Sequence, residues 1–527
     1  MSSSASAFGK RQRAPSQVDV LIIGSGPAGA TFARTIGDAL PATRIMIIEA
    51  GPQLTARAGA NVKNVVDLEE RARAQLRSQG PTRFPYDPAA GRNPAVSPER
   101  LEALSRLARP GTFLINSEPE RPVGFPAAGA SSNVGGMGAH WTCACPRPEG
   151  SERIPFIPAE EMDRALARAE FLLHVRTDIF APSVARHRII RTLAQQFQSA
   201  YPARRSVGPM PLACMRLPTG ELLWTGSDTI LGYWVDRLAR HESNFSLRTE
   251  TLCRRLMVEG ERVIGAVIEH LPTGSQQEIY AKFVVIAADS LRSPQLLWSS
   301  GIRPAALGHY LNEHPQILCA VECAPSIWEG QDCSGEFAPG GPGVLWVPFR
   351  DPDHPFHGQI MTLDLSPIPM KDGSSAATPL TLGMCWFCRK DIQFEDRIEF
   401  AESDLDFWGM PPMTIHYEYT DADQQTFQQA IREQSRAADC LGTFRENEPP
   451  TLLPAGRSLH YQGTMRMGRQ DDGTSVCDSF SRVWAFENLF LGGNGVIPTA
   501  TACNPTLTTV ALAARSAEHV VARLEQS

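Results

Sequence analysis

The stretch from residue 18 to residue 29 restricts the fold more than any other part of the chain. Residues 18–23 form a short β-branched run, apolar apart from Asp19, that leads without a spacer into Gly24-Ser25-Gly26-Pro27-Ala28-Gly29. Residues 30–40 read as a helix, and residues 44–49 as a second strand ending on Glu49. Together they make a βαβ unit. Its strands are not interrupted by polar faces, as expected where a parallel sheet is covered on both sides. The expected fold class is α/β, with a Rossmann-like nucleotide-binding lobe.

Gly24, Gly26 and Gly29 fill the glycine positions of GxGxxG between that strand and that helix. The first permits a tight turn, the second lets the backbone approach a pyrophosphate, and the third lets the helix pack close to the strand. Phosphates then meet unpaired N–H groups at the positive end of the helix dipole. A carboxylate at Glu49 accepts hydrogen bonds from the ribose hydroxyls of an adenosine and repels a 2′-phosphate. Glycine turns also occur in unrelated α/β folds; the flanking strand, helix and acid argue against that reading here. The loop alone does not separate FAD from NAD.

A chain of 527 residues exceeds one simple core and implies two or more lobes. Its formal net charge of -7 argues against a nucleic-acid partner. No stretch has the apolar length that spans a bilayer. Residues 1–17 are Ser/Ala-rich, with a basic cluster at Lys10, Arg11 and Arg13 and no secretory apolar core. They read as a disordered tail. The 12 cysteines have no repeating spacing. Cys385 and Cys388 could form half of a redox or metal site, but no second CxxC or histidine cluster accompanies them. No metal is expected, and reduced, mostly buried thiols in a cytoplasmic protein are.

Residues 55–110 are rich in charge, Pro and Gly, with one helix expected over 67–78. The stretch reads as an excursion from the sheet that covers the cofactor, mediates contacts in a homo-oligomer, or merely connects. Helices are expected over 160–171 and 183–201, and a hairpin over 263–269 and 277–286 returning to the first sheet. From residue 314 to residue 450, segments such as 413–419 alternate with the period of half-buried antiparallel strands. Pro- and Gly-rich loops separate them at 335–343 and 366–375. The chain returns to the first lobe with a strand over 488–493 and a last helix over 506–524. The expected organisation is a discontinuous dinucleotide-binding lobe of residues 18–150, 215–313 and 455–527, and a substrate-binding lobe of residues 151–214 and 314–454 built on an antiparallel β-sheet.

Three further motifs carry chemistry. Asn133-Val134-Gly135-Gly136-Met137 leads through Gly138 to His140-Trp141-Thr142-Cys143-Ala144, a histidine in a glycine-rich loop whose backbone can lie close to a flat ring. His460-x-x-Gly463-Thr464-x-Arg466-Met467-Gly468 comes much later. It is followed by Gly492-Gly493-Asn494-Gly495 and by Asn504-Pro505-Thr506. These segments resemble, in order, the flavin-attachment segment and the C-terminal active-site motifs of the glucose–methanol–choline oxidoreductases. Within that family they look most like the pyranose 2-oxidases, of the bacterial pyranose oxidase or glycoside 3-oxidase type. The segments 308–315 and 354–360 extend the resemblance over much of the chain.

The resemblance implies FAD as cofactor, with Asn133, Gly136 and Asn494 among its contacts. It implies a bond from His140 to the flavin 8α-methyl group, or His140 packed against the ring without one. Thr142 then lies near the reactive nitrogen 5, and Thr506 with its helix N-terminus at the pyrimidine end. His460 and Asn504 are implied as the catalytic pair. Hydride leaves a carbinol carbon only as its hydroxyl proton is removed, which suits a histidine of near-neutral pKa as base. An amide holds the same oxygen without competing for that proton. A lone histidine is more often a hydrogen-bonded core residue, and Asn504 can simply cap a helix; the co-occurrence of the motifs favours chemistry. Gln359 is implied as a sugar-hydroxyl ligand and Arg389 as a polar wall, against the alternative that both are surface residues of the second lobe.

The chain departs from fungal members after the glutamine, where Met361-Thr362-Leu363-Asp364-Leu365-Ser366-Pro367 replaces an Asp-Ala-Phe-Ser stretch. A more apolar wall suits an aglycone or a different sugar pose, which opens carbon 3 beside carbon 2. The expected reaction is oxidation of a secondary hydroxyl of a pyranose or glycoside to a keto-sugar. Dioxygen is reduced to hydrogen peroxide, or a quinone is reduced instead. The rivals are a family dehydrogenase that ignores dioxygen and a flavin-binding protein without oxidase chemistry, which has no need of a base. An NAD enzyme leaves the flavin-facing segments unexplained.

Overall fold

The computed structural model describes residues 16–79, 112–115, 120–197, 206–240, 244–331, 333, 340–362, 380–445 and 448–526. Expectations for residues 1–15, 80–111, 198–201, 334–339 and 363–379 therefore lie outside the described residues.

The first sheet grows around Ser16–Ile23, which lies parallel to Ile45–Ile48 on one side and to Ser275–Ile286 on the other. Phe245–Arg248 extends the parallel edge. Ser275–Ile286 serves twice. Its first half forms the expected hairpin with Arg262–His270, which pairs in turn with Thr251–Glu259. Its second half takes Leu489–Leu491 as a parallel neighbour, so the last strand closes against the first ones. Val20, Leu21 and Ile22 are fully buried, as are all four residues of Ile45–Ile48; this is why neither strand needs a polar face. Ser16 and Gln17 pair with Ile279 and Tyr280. The strand thus begins inside the segment expected as tail, because the backbone of a neighbouring strand orders two polar residues that carry no hydrophobic signal.

Helix Pro27–Ala39 packs against the C-terminal helix Thr506–Leu524, and helix Ala159–Leu173 packs on the other flank of that helix. Met162, Leu166, Ala169 and Leu173 form the apolar stripe that joins this first core. Helix Val184–Gln196 instead sends Ala185, Ile189 and Leu193 into the second core. The segment 151–214 is therefore divided between the lobes, since each helix follows its own apolar face. A helix at Leu68–Gln79 matches the one read from the sequence.

The second sheet has seven strands and is antiparallel throughout. Its order runs Gly442–Phe444, Gln316–Cys323, Thr381–Cys388, Phe356–Thr362, Val344–Val347, Gly208–Pro209, with Thr451–Leu452 also on Gln316–Cys323. Alternation splits its two faces. Ile317, Val321, Phe356, Ile360, Met384 and Trp386 meet helices Asp421–Leu441 and Val184–Gln196 in the second core. Trp346, His357, Gln359 and Phe387 stand on the opposite face. Met413–His416, expected in this sheet, belongs to a separate three-stranded sheet with Arg397–Phe400 and, in parallel, Arg121–Val123. Its alternating pattern specified a half-buried strand but not its partners.

All 12 cysteines are free; only Cys440 is exposed. Among the described residues no helix is long and apolar enough to cross a membrane.

Candidate active site

The glycine loop builds one wall of a deep cleft. Gly24 and Gly26 line it together with Glu49, Ser131, Gly136, Met137, Asn494, Thr506 and Thr509. Gly24 has φ +106°, and a Cβ there would stand 2.2 Å from the carbonyl oxygen of Ala287. Gly29 lies behind the cleft: its Cβ would meet the carbonyl oxygen of Gly24 at 2.0 Å. The third glycine thus serves helix–strand packing, the role its position suggested.

Glu49 is buried, and loss of hydration raises its pKa. Its Oε2 accepts from the Ser25 amide at 3.1 Å and the Ser25 hydroxyl at 2.7 Å, and its Oε1 from the Gly51 amide at 3.0 Å. The Ser25 hydroxyl also accepts from the Gly135 amide at 3.0 Å. One side chain therefore joins the glycine turn, the buried acid Glu49 and the glycine-rich loop before His140. Replacing Ser25 with alanine should loosen all three. With a buried hydrogen bond worth about 1–3 kcal/mol when its partner is left unsatisfied, cofactor retention should fall roughly tenfold, read as flavin released on dilution.

Asn133 shapes that loop: its amide donates to the carbonyls of Val134 and Gly136, and its Oδ1 accepts from Ser131. His140 is half-buried with Nε2 3.2 Å from the Ser131 hydroxyl, and desolvation lowers its pKa to about 4. Trp141 Nε1 donates to the Thr225 carbonyl at 2.7 Å, and Cys143 takes φ +65°, which fixes the loop on both sides of Thr142. The Thr142 hydroxyl makes no hydrogen bond among the described residues.

The two C-terminal motifs are laced together by backbone bonds. The amides of Met465 and Met467 donate to the carbonyls of Gly495 and Val496. Asn494 Oδ1 accepts from Thr509, one turn into the last helix. His460 is half-buried, and desolvation alone lowers its pKa to about 4. Its Nδ1 lies 3.2 Å from Nδ1 of His314, whose Nε2 is 2.8 Å from the Thr501 hydroxyl. His314 thus draws the segment carrying Asn504 to His460. Glu152 fixes the same segment: its Oε1 accepts from the amides of Ala502 and Cys503, both at 2.9 Å. Asn504 Oδ1 is buried with no hydrogen-bond partner among the described residues. A buried acceptor left open costs stability unless a ligand completes it.

The second sheet supplies the facing wall. His460 stacks on Phe387 with centroids 5.2 Å apart, and Phe387 stacks on His357 at 5.0 Å. Trp346 Nε1 donates to His357 Nδ1 at 3.2 Å. Gln359, two residues from His357, is buried, and its side chain makes no hydrogen bond among the described residues. Arg389 pairs with Asp351 and Ser151, both at 3.0 Å, and so is anchored to neighbouring loops. Sequence reasoning gave no role to His314, Thr501, Gln462, Glu152, Trp346 or Phe387. His314 lay within a segment that carried the resemblance and Gln462 at an unspecified position of the 460–468 motif; the others belong to no motif, and only tertiary pairing reveals them.

These residues fit a flavin dinucleotide. The glycine turn and Glu49 suit its adenosine and pyrophosphate, and Asn504 offers a buried amide oxygen with no hydrogen-bond partner among the described residues. A nucleotide-binding lobe joined to a second lobe built on an antiparallel sheet is an architecture that flavoprotein oxidoreductases use. Residues 151–316 and 397–513 match the GMC oxidoreductase family, and the chain belongs to that family. It is 46% identical to a C-glycoside 3-oxidase of Microbacterium trichothecenolyticum over 96% of this chain and 97% of that one. It is 32% identical to a pyranose 2-oxidase of Tricholoma matsutake over 96% and 94% of the two chains. In fold it resembles a pyridoxine 4-oxidase from Mesorbium loti, with a TM-score of 0.60 and 19% identity over 95% of this chain and 99% of that one.

Proposed function

We propose that this protein oxidises a secondary hydroxyl, at carbon 2 or carbon 3, of a pyranose or glycoside to a ketone. FAD supplies the hydride acceptor when bound. His460 takes the hydroxyl proton on its outer ring nitrogen, and burial keeps that imidazole unprotonated and ready. Asn504 holds the substrate oxygen and thereby aims the carbinol C–H. Gln359 binds a neighbouring hydroxyl, while Trp346 and Phe387 offer flat apolar surface to the opposite side of the sugar or to an aromatic aglycone. Arg389, held by Asp351, closes the polar rim. The observation that supports the reading is that His460 is tied to Thr501, three residues before Asn504, through His314, and to the second sheet through Phe387 and His357. The similarity to C-glycoside and pyranose oxidases supports the substrate class.

Two electrons leave the carbinol as hydride, and they return to dioxygen as hydrogen peroxide or to a quinone. A cytoplasmic site of action agrees with the 12 free thiols. The test is an anaerobic screen of free sugars and glycosides for bleaching of flavin absorbance, with the oxidised carbon located by NMR. No bleaching by any of them overturns the substrate class. Stoichiometric peroxide in air identifies the oxidase, and dye reduction without peroxide the dehydrogenase.

The proposal includes a bond between His140 and the flavin. Such addition requires a neutral imidazole, and burial holds His140 in that form. The yellow colour should stay with acid-precipitated protein; colour released into the supernatant overturns the bond.

A further inference from the structure

His314 has both ring nitrogens engaged inside the protein. It is fully buried, just ahead of the strand Gln316–Cys323. Nδ1 faces Nδ1 of His460 at 3.2 Å, and Nε2 is 2.8 Å from Thr501 Oγ1. Thr501 Oγ1 is in turn 3.2 Å from Gln462 Oε1, while Gln462 Nε2 lies 3.2 Å from His314 Nε2. The four side chains form a closed row with one catalytic end.

Two nitrogens facing each other across 3.2 Å share a single proton, because two would leave donor against donor. This leaves two arrangements. In the first, His460 carries the proton on Nδ1 and donates to His314. His314 then carries its own proton on Nε2 and gives it to Thr501, whose hydroxyl donates to the Gln462 amide oxygen; because a donor cannot face a donor, this sense requires the Gln462 amide turned so that its oxygen, and not its NH2, lies 3.2 Å from His314 Nε2. In the second, every proton points the other way: the Gln462 amide and Thr501 donate to His314, His314 donates to His460, and His460 is protonated on Nε2. Only the first leaves a lone pair on His460 Nε2 for a substrate hydroxyl.

We propose that His314 is a positioning residue that holds His460 in the Nδ1–H tautomer, with Thr501 and Gln462 setting the sense of the row. The inference rests on His460 being the base. The second-nearest neighbour of the same kind, His357, also faces His314. The Glu313 carboxylate is turned away, accepting from the Gly456 amide and the Ser458 hydroxyl. No carboxylate meets His314, so it does not store the abstracted proton as a stable cation. Its service is a fixed acceptor that keeps the His460 ring from flipping and strengthens its remaining N–H bond as the outer nitrogen is protonated. The ring–ring geometry, with centroids 5.1 Å apart and planes at 68°, suits an in-plane nitrogen contact rather than a stack.

The experiment has three arms. Nitrogen-15 NMR of the oxidised holoenzyme labelled at histidine reads the tautomer without turnover: a protonated Nδ1 and bare Nε2 on His460 is expected, and the reverse overturns the proposal. His314→Phe should lower the rate of anaerobic flavin reduction about 10–100-fold, within the range general-base catalysis supplies, with little change in KM. His314→Asn, which puts an amide oxygen near the old Nδ1, should recover most of that loss. Native rates in His314→Phe, or no recovery in His314→Asn with the protein folded and flavin-bound, overturn it. His460→Ala separates the two readings. If that variant still reduces flavin, the base assignment fails; if it is dead while His314→Phe is native, only the positioning role fails.

Discussion

His460→Ala should lower kcat/KM for sugar oxidation by about 10²–10⁴-fold, the range a positioned general base contributes, while FAD stays bound. Retention is expected because His460 does not line the cleft that takes the dinucleotide; its neighbours Leu459 and Tyr461 do. The pH profile carries the same signature. Burial depresses His460 to about 4, so the free base predominates from about pH 5 upward and activity should be flat there. Below that, protonation removes the base and kcat/KM should fall toward tenfold per pH unit. Stopped-flow reduction under anaerobic conditions reads both. A variant that reduces flavin within tenfold of native, or an acid limb near pH 6.5 in the native enzyme, removes His460 from the role.

Gly24→Ala should destroy the folded, flavin-bound protein. The added Cβ would sit 2.2 Å from the Ala287 carbonyl oxygen and 2.7 Å from its carbon, both backbone atoms of the adjoining parallel strand's exit. Neither can give way without opening the sheet at Ile23, whose carbonyl accepts from the Ala287 amide at 2.7 Å. The positive φ adds about 1 kcal/mol or more of strain, and the overlap takes the total beyond roughly 4 kcal/mol, a large share of ordinary stability. Gly220→Ala is the matched control: its φ is +92°, but nothing lies within 4 Å of its Cβ. It should lose only the strain and keep its flavin. Thermal melting with the ratio of flavin to protein absorbance measures each, and a Gly24→Ala protein that melts like native refutes the cradle.

What the sequence made legible was local. The glycine loop, its strand and helix, the acid at Glu49 and the last helix follow from runs of neighbouring residues, and each lies where those runs implied. Long-range pairing was not legible. The apolar stripe of Ala159–Leu173 marked a helix but could not say which of two cores it would meet. Met413–His416 alternated like any half-buried strand, and its partner at Arg121–Val123 lies nearly 300 residues away. The site behaves alike. His460 and Asn504 stood in motifs, whereas Glu152 reaches Ala502 and Cys503 across 350 and 351 positions with no pattern to announce it. His314 was visible only as one letter of a longer resemblance until its second nitrogen met Thr501.

The closure of Leu489–Leu491 onto Ser275–Ile286, with the final helix laid against Pro27–Ala39, bears on how the enzyme is made. The ribosome releases the glycine turn more than 450 residues before the pieces that seal it. A nascent chain can shape its glycine turn early, yet it has no finished berth for a cofactor until the residues beyond 489 emerge. Flavin loading therefore waits for those residues, and a polypeptide stalled or clipped before that point should accumulate colourless.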